Sequence, residues 1–240
     1  MSHHTIEVEN LSFRYPDGRL ALDDVSLSVA PDEKVALVGP NGSGKSTLLL
    51  HLNGVFRSPT GTIRLGGLPL NDRNLGQIRA WVGLVFQNPD DQLFSPRVYQ
   101  DVAFGPLHMG LPEAEVRARV ERALAAVGMD DYAERVSFHL SVGEKKRIAI
   151  ATVLSMEPKI LVLDEPSAGL DPRARRHLIA LLRDLKQQTM LISTHDMRLA
   201  AELCARVVVL DGGRVVAEGP TERILNDADL LERHGLEKPF

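Results

Sequence analysis

Eight consecutive residues constrain this chain more than any other stretch. Gly39, Pro40, Asn41, Gly42, Ser43, Gly44, Lys45 and Ser46 spell G-x-x-x-x-G-K-[ST]. The run before them, Lys34 to Val38, is short, apolar and rich in β-formers, and the run after, Thr47 to Leu52, reads as the start of a helix. A glycine-rich link between a strand and a helix lets successive backbone N–H groups turn toward one anion. The helix N-terminus adds its partial positive charge there. Lys45 is placed to meet terminal phosphates as a point charge, Ser46 offers a hydroxyl to Mg²⁺, and Thr47 completes the cradle. The pattern predicts a nucleoside triphosphate site of the strand–loop–helix kind.

The bulk composition narrows the partners. The chain has 240 residues, 44% apolar and 25% charged, with a net charge of −4. That is enough for one large domain, or a core with a subdomain. An acidic balance speaks against a nucleic-acid partner held by bulk electrostatics. Cys204 is the only cysteine, so no internal disulfide forms and a reducing compartment fits. The chain begins without an apolar signal segment, and no apolar run approaches the ~20 residues that span a bilayer. Any link to a membrane is therefore expected through a partner. His3 and His4 read as a solvated tail, because two adjacent histidines rarely make a metal ligand set.

Alternation at Thr5–Leu11 and Leu22–Val29, punctuated by the turn Tyr15–Gly18, predicts strands. Further strands are expected at Gly61–Leu65, Trp81–Phe86, Lys159–Leu163 and Thr189–Ser193, with a hairpin at Arg206–Leu210 and Arg214–Ala217. Helical spacing covers Pro112–Gly128, His139–Glu157, Pro172–Gln187 and the stretch from Thr221 onward. Residues 88–108, rich in Pro, Asp and aromatics, read as a structured loop. Strands alternating with helices predict an α/β fold with a mostly parallel sheet. An antiparallel β subdomain is expected at the N-terminus, and a helical block at about 88–157 reads as an insertion. The core would then comprise 1–87 and 158–240 of a single domain spanning 1–240.

The apolar run Ile160–Leu163 ends in Asp164 and Glu165. A strand buried on both faces delivers Asp164 to the carboxyl edge of the sheet, where ligands bind in open α/β folds. Asp164 suits Mg²⁺ through water. Glu165, one residue on, is expected to point elsewhere and to orient or deprotonate a water attacking the γ-phosphate. His195 follows the strand 189–193 and arrives at the same edge, within reach of the γ-phosphate or of Glu165. Gln87 ends the strand Trp81–Phe86, and its amide oxygen has the same access to Mg²⁺ or water. Ser141 and Glu144 form a capping box, which is a helix start and also an anion site. The dinucleotide fingerprint G-x-G-x-x-G is excluded, because Lys45, Ser46 and Thr47 follow Gly44 without its third glycine.

Taken together, these motifs resemble the ATP-binding cassette (ABC) ATPase family over essentially the whole chain. The loop 39–46, Gln87, the run Leu140, Ser141, Val142, Gly143 and Glu144, the strand 160–165, the run Ser167–Asp171 and His195 stand in that family's order: Walker A, Q-loop, signature, Walker B, D-loop and H-loop. The resemblance implies ATP and Mg²⁺ as ligands. It implies that Tyr15 stacks on adenine, although a turn residue packed on the small sheet is the other reading. It implies that Lys45 holds the β- and γ-phosphates, Ser46 and Gln87 ligate Mg²⁺, Glu165 is the catalytic base and His195 senses the γ-phosphate. Ser141 and Gly143 would meet a nucleotide bound by another subunit, and Asp171 would work at the same head-to-tail interface, in a homodimer or a heterodimer with another cassette. The usual signature is L-S-G-G-Q. Val142 and Glu144 depart from it, and a β-branched Val is expected to resist backbone conformations open to Gly, weakening that contact.

A narrower resemblance follows Gln87. Asn88–Phe94 and Val98–Gly105, with Lys145, Lys146 and Arg147, are similar to energising ATPases of energy-coupling factor importers, especially the cobalt and nickel type. Leu93, Phe94, Val98 and Phe104 are expected to line a groove for an amphipathic coupling helix of a transmembrane partner, near 88–105. The implied place is the cytoplasmic face of the membrane, peripherally. A vitamin importer of the same type is the alternative solute class. A soluble non-transport cassette acting on DNA or the ribosome is the alternative outside transport.

Overall fold

The computed structural model of the chain describes residues 4–58 and 60–238. β1 (Ile6–Arg14) and β2 (Leu20–Val29) pair antiparallel across a turn in which Gly18 N–H donates to the Tyr15 carbonyl at 2.9 Å. β3 (Lys34–Val38) leads into α1 (Lys45–Leu52), then come β4 (Thr62–Leu65) and β5 (Leu68–Pro69). β1, β2, β4 and β5 form one antiparallel sheet in the order β2-β1-β4-β5. α2 (Leu75–Trp81) precedes β6 (Val82–Val85), after which the chain leaves the sheet through α3 (Val98–His108), α4 (Glu113–Ala126) and α5 (Val142–Leu154). It returns in β7 (Ile160–Asp164), followed by α6 (Pro172–Asp184), β8 (Thr189–Ser193), α7 (Met197–Leu203), β9 (Arg206–Asp211), β10 (Arg214–Pro220), α8 (Thr221–Asn226) and α9 (Ala228–Arg233). The second sheet runs β10-β9-β3-β8-β7-β6 and is parallel except where β10 pairs with β9.

The central strands are apolar at nearly every position because both faces are covered. Successive side chains point to opposite faces, so each strand feeds two cores. Val35 and Leu37 pack with Ile6, Leu11, Leu48 and Leu52 on the side of the antiparallel sheet. Ala36 and Val38 join Leu161, Leu163 and Ile192 with the helices on the other side. The register pairs Leu37 and Asp164 with Ser193, and Val85 with Leu163. Parallel strands in that register bring the carboxyl ends of β3, β6, β7 and β8 to one edge, which is where the cleft described below lies.

Several local expectations are corrected. The stretch 88–108 is not a loop throughout: a 3₁₀ turn at Pro89–Asp91 is followed by α3. Pro106 sits inside α3 and removes the N–H that would bond the Val102 carbonyl. The Ser155 hydroxyl reaches that carbonyl at 2.8 Å, sharing its proton with the Thr152 carbonyl at 2.9 Å, so the freed acceptor has a donor in reach and the helix continues. α2 and α7, of seven residues each, lie where no helix was expected. The helix expected from His139 begins at Val142, after a 3₁₀ turn at Ser137–His139. His4 is not solvated tail: its ring meets Trp81 edge-on at 5.5 Å, and its carbonyl accepts from the Thr189 hydroxyl at 2.6 Å. His3 lies outside the described residues. Among the described residues no helix is long and apolar enough to cross a membrane.

Candidate nucleotide site

The loop from Gly39 to Gly44 is shaped by close packing that only glycine permits. A Cβ on Gly39 would lie 1.9 Å from the Leu210 carbonyl oxygen, and one on Gly44, at φ +106, would lie 2.5 Å from that of Ala21. The loop therefore nestles against β9 and β2. Pro40 and Asn41 form its crown, and the Pro40 carbonyl accepts from Ser43 N–H. The Ser43 hydroxyl is buried without a protein partner. Lys45 is only 7% exposed, and its ammonium folds back over the loop onto the carbonyls of Gly39 and Pro40, at 2.8 and 3.0 Å. Burial pushes it below its usual pKa, with Glu165 and Asp164 opposing that shift.

A cleft of about 350 Å³ opens over this loop, lined by Tyr15, Arg19, Leu20, Ala21, Asn41, Gly42, Gly44, Lys45, Ser46, Thr47, Gln87, Asp164 and Glu165. The Tyr15 hydroxyl shares a hydrogen bond with Thr47 Oγ1 at 2.9 Å, and the Arg19 guanidinium lies 4.8 Å from the ring centroid. Phe13 and Phe56 meet the Tyr15 ring edge-on. Tyr15 thus both packs on the small sheet and faces the cleft.

Strand alternation would send Glu165 away from Asp164, yet both line the cleft. Glu165 is responsible, because its backbone is left-handed, at φ +46. That conformation costs a non-glycine residue on the order of 1–3 kcal/mol. Its amide donates to the Ser193 carbonyl at 3.0 Å, and its carboxylate Oε2 lies 2.8 Å from His195 Nδ1. Glu165 is 5% exposed, whereas the His195 side chain is 64% exposed. Asp164 Oδ1 is buried and has no protein partner. An orphaned carboxylate oxygen, the exposed hydroxyl of Ser46 and the amide of Gln87 make an all-oxygen donor set of the kind Mg²⁺ takes, so the residues present fit that ion.

Ser141, Gly143, Glu144 and Asp171 do not line this cleft. They gather elsewhere, at the N-termini of α5 and α6. A Cβ on Gly143 would lie 3.6 Å from Leu170, and one on Gly169 would lie 3.7 Å from Val142, so the signature and the D-loop are neighbours. The capping box is complete: Glu144 N–H donates to Ser141 Oγ, and Glu144 Oε2 accepts from the Ser141 amide and hydroxyl at 2.8 Å each. The Tyr132 hydroxyl donates to Glu144 Oε1 at 2.7 Å. That bond leads the causes that hold the Glu144 carboxyl down at about 2, ahead of the Ser141 bonds. Asp171 caps α6, accepting from the amides of Arg173 and Ala174. Val142 is the first residue of α5 and has no left-handed backbone, so the expected strain at the third signature position is absent. Its side chain is exposed.

The expected groove after Gln87 is half core. Leu93 and Val98 are buried, while Phe94 and Phe104 are 59% and 43% exposed and meet edge-on at 4.9 Å. Sequence reasoning missed three residues that hold these parts together. Gln92 accepts from the Phe86 amide and donates to the Ala149 carbonyl and Thr152 hydroxyl, joining the Gln87 loop to α5. Asp101 is buried and accepts from the amides of Phe94 and Ser95 and from the Ser137 hydroxyl. Lys146 is 6% exposed and donates to the Glu165 carbonyl at 2.7 Å.

Residues 22–168 match the sequence profile of the ABC transporter family. The chain belongs to the ABC transporter ATPases. It is 51% identical over 237 residues to the energy-coupling factor transporter ATP-binding protein EcfA of Carboxydothermus hydrogenoformans, covering 98% of this chain and 87% of that protein. A protein of Gloeobacter violaceus named as a candidate ABC transporter ATP-binding protein is 56% identical, covering 97% of this chain and 96% of the relative. Among solved structures, CbiO1 of Clostridium perfringens, described as part of the ABC transporter complex CbiONQ, superposes with a TM-score of 0.82 at 38% identity, covering 96% and 94% of the two chains. A dimeric ATP-binding cassette holding ADP and Pi superposes with a TM-score of 0.83 at 27% identity, covering 90% of this chain and 98% of that one. The phosphate loop and sheet-edge carboxylates of this ABC ATPase are thus set in the family's own fold.

Proposed function

We propose that this cassette hydrolyses ATP in a head-to-tail dimer and so energises an importer of the energy-coupling factor type. One observation carries the dimer: the candidate site residues fall on two separate surfaces of one chain. Lys45, Ser46, Gln87, Asp164 and Glu165 share the cleft, whereas Ser141, Gly143 and Asp171 sit exposed or half-exposed at the two helix starts. A second chain turned head to tail brings its helix starts over the first chain's cleft, and ATP is enclosed at the seam. A homodimer has two complete composite sites, and a heterodimer with another cassette is the alternative. The 51% identity to EcfA supports the importer type.

In this reading Lys45 leaves the carbonyls of Gly39 and Pro40 for the β- and γ-phosphates, which also accept from the loop amides between Gly39 and Thr47. Ser46, Gln87 and Asp164 hold Mg²⁺, which neutralises charge on the phosphates. Glu165 accepts a proton from the attacking water, and His195 holds Oε2 and so fixes which oxygen faces it. Tyr15 offers its ring to adenine once Arg19 swings aside. Phe94 and Phe104 form the exposed apolar face on which a transmembrane subunit's coupling helix docks, near 88–105, and this docking holds the ATPase peripherally at the cytoplasmic face. A metal cation such as cobalt or nickel is the favoured solute, on the resemblance of Asn88–Phe94 to that group. A vitamin is the alternative within the type, and a soluble cassette outside transport is the remoter one.

The test is ATPase turnover per chain against protein concentration, alone and with a detergent-solubilised membrane subunit. Turnover per chain is expected to rise with concentration and to change when the membrane subunit binds. Concentration-independent turnover refutes the dimer, and failure to bind any membrane subunit refutes the importer.

A further inference from the structure

Lys146 occupies a position that a solvated lysine would avoid. Val142 opens α5, and Ala149, Ile150 and Val153, three, four and seven residues beyond Lys146, are all buried, so Lys146 lies on the inward stripe of the helix. Its side chain passes under the helix to the end of β7, where the ammonium donates to the Glu165 carbonyl at 2.7 Å. Burying an ammonium is unfavourable without compensation. Here the carbonyl supplies a hydrogen bond, and the carboxylates of Glu165 and Asp164 attract the charge.

The carbonyl that Lys146 holds belongs to the one residue whose strained backbone brings the second carboxylate into the cleft. Glu165 is held through three of its groups: its amide on the Ser193 carbonyl, its carbonyl on the Lys146 ammonium and also the Ala168 amide, and its carboxylate on His195. The first and third anchors come from β8 and the residues after it. Lys146 is the anchor that comes from the helical excursion, on the same helix whose N-terminus carries Ser141 and Gly143. We propose that Lys146 is a positioning residue: by gripping the Glu165 peptide it keeps the left-handed turn that aims the carboxylate at the nucleotide, and it pins the helix start that serves the partner's ATP to this chain's own catalytic carboxylate. A shift of α5 on dimer closure is thereby transmitted to Glu165 through one hydrogen bond. This inference rests on the reading of Glu165 as the base.

The test compares steady-state ATPase of the full chain with Lys146→Met, Lys146→Arg, Glu165→Gln and the double variant. Lys146→Met is expected to lower kcat about tenfold while KM for ATP stays within about twofold. Lys146→Arg, which keeps a charged donor, is expected to restore part of the rate. Added to Glu165→Gln, Lys146→Met is expected to lower the residual rate no further, because a residue acting only through Glu165 has nothing left to position. An unchanged kcat in Lys146→Met, or a further tenfold fall in the double variant, overturns the proposal. Where the Met variant does not fold, Lys146→Gln carries the same comparison. Parental turnover with an unaffected Lys146→Met removes this inference alone, whereas a parent without ATPase activity removes the assignment of Glu165 with it.

Discussion

Glu144 shows how a single side chain departs from its family's usual residue and what it gains locally. A glutamine at the fifth signature position could accept from Ser141 or Tyr132 with one oxygen. The carboxylate accepts from both with two. Its pKa is depressed from 4.5 to about 2, so its contribution is fully present above pH 4.5 and is lost as pH falls from 4.5 toward about 2. Glu144→Gln is therefore expected to cost roughly 1–2 kcal/mol at pH 7, screening by solvent having reduced the full linkage value. The gap should narrow when urea midpoints are measured near pH 3. A gap that stays constant with pH would mean the carboxylate is not held by these bonds. The same scale shows what the sequence could not convey. Lys45, Ser46 and Asp164 were legible because their spacing from strands fixes their place. The left-handed turn at Glu165 was not legible, since a glutamate carries no mark of positive φ. Lys146 could have been found: a lysine on the apolar stripe of an otherwise regular helix needs a buried acceptor.

Among the elements, the buried strands were the most readable, because continuous apolar runs such as Lys159–Leu163 and Thr189–Ser193 have few other uses in an α/β chain. β8 matches its expected span end to end. α3 was hidden by its own composition. Its Pro106 and the Pro- and Asp-rich stretch before it argue for a loop, and the tertiary contact that overrides them comes from Ser155, 53 residues beyond Val102. That contact gives a prediction. Ser155 is 1% exposed, and Ser155→Ala leaves the buried Val102 carbonyl without its donor, at a cost of about 1–3 kcal/mol. Chemical denaturation checks it, and a midpoint unchanged from the parent would show that the carbonyl finds another donor. The groove was misjudged for a related reason. Leu93 and Val98 are as apolar as Phe94 and Phe104, and only the packing of α3 against α5 decides which pair is covered.

At the scale of the whole molecule, the candidate site residues divide between two faces of one chain. The sheet's register gathers one set, and the helical excursion between β6 and β7 presents the other. Freezing the chain before hydrolysis should therefore trap the pair. The most direct test is the molar mass of the Glu165→Gln variant with and without saturating Mg-ATP. The account predicts 26.4 kDa without nucleotide and twice that with it, together with loss of turnover. A variant that stays monomeric in Mg-ATP, or that hydrolyses at the parental rate, would contradict it.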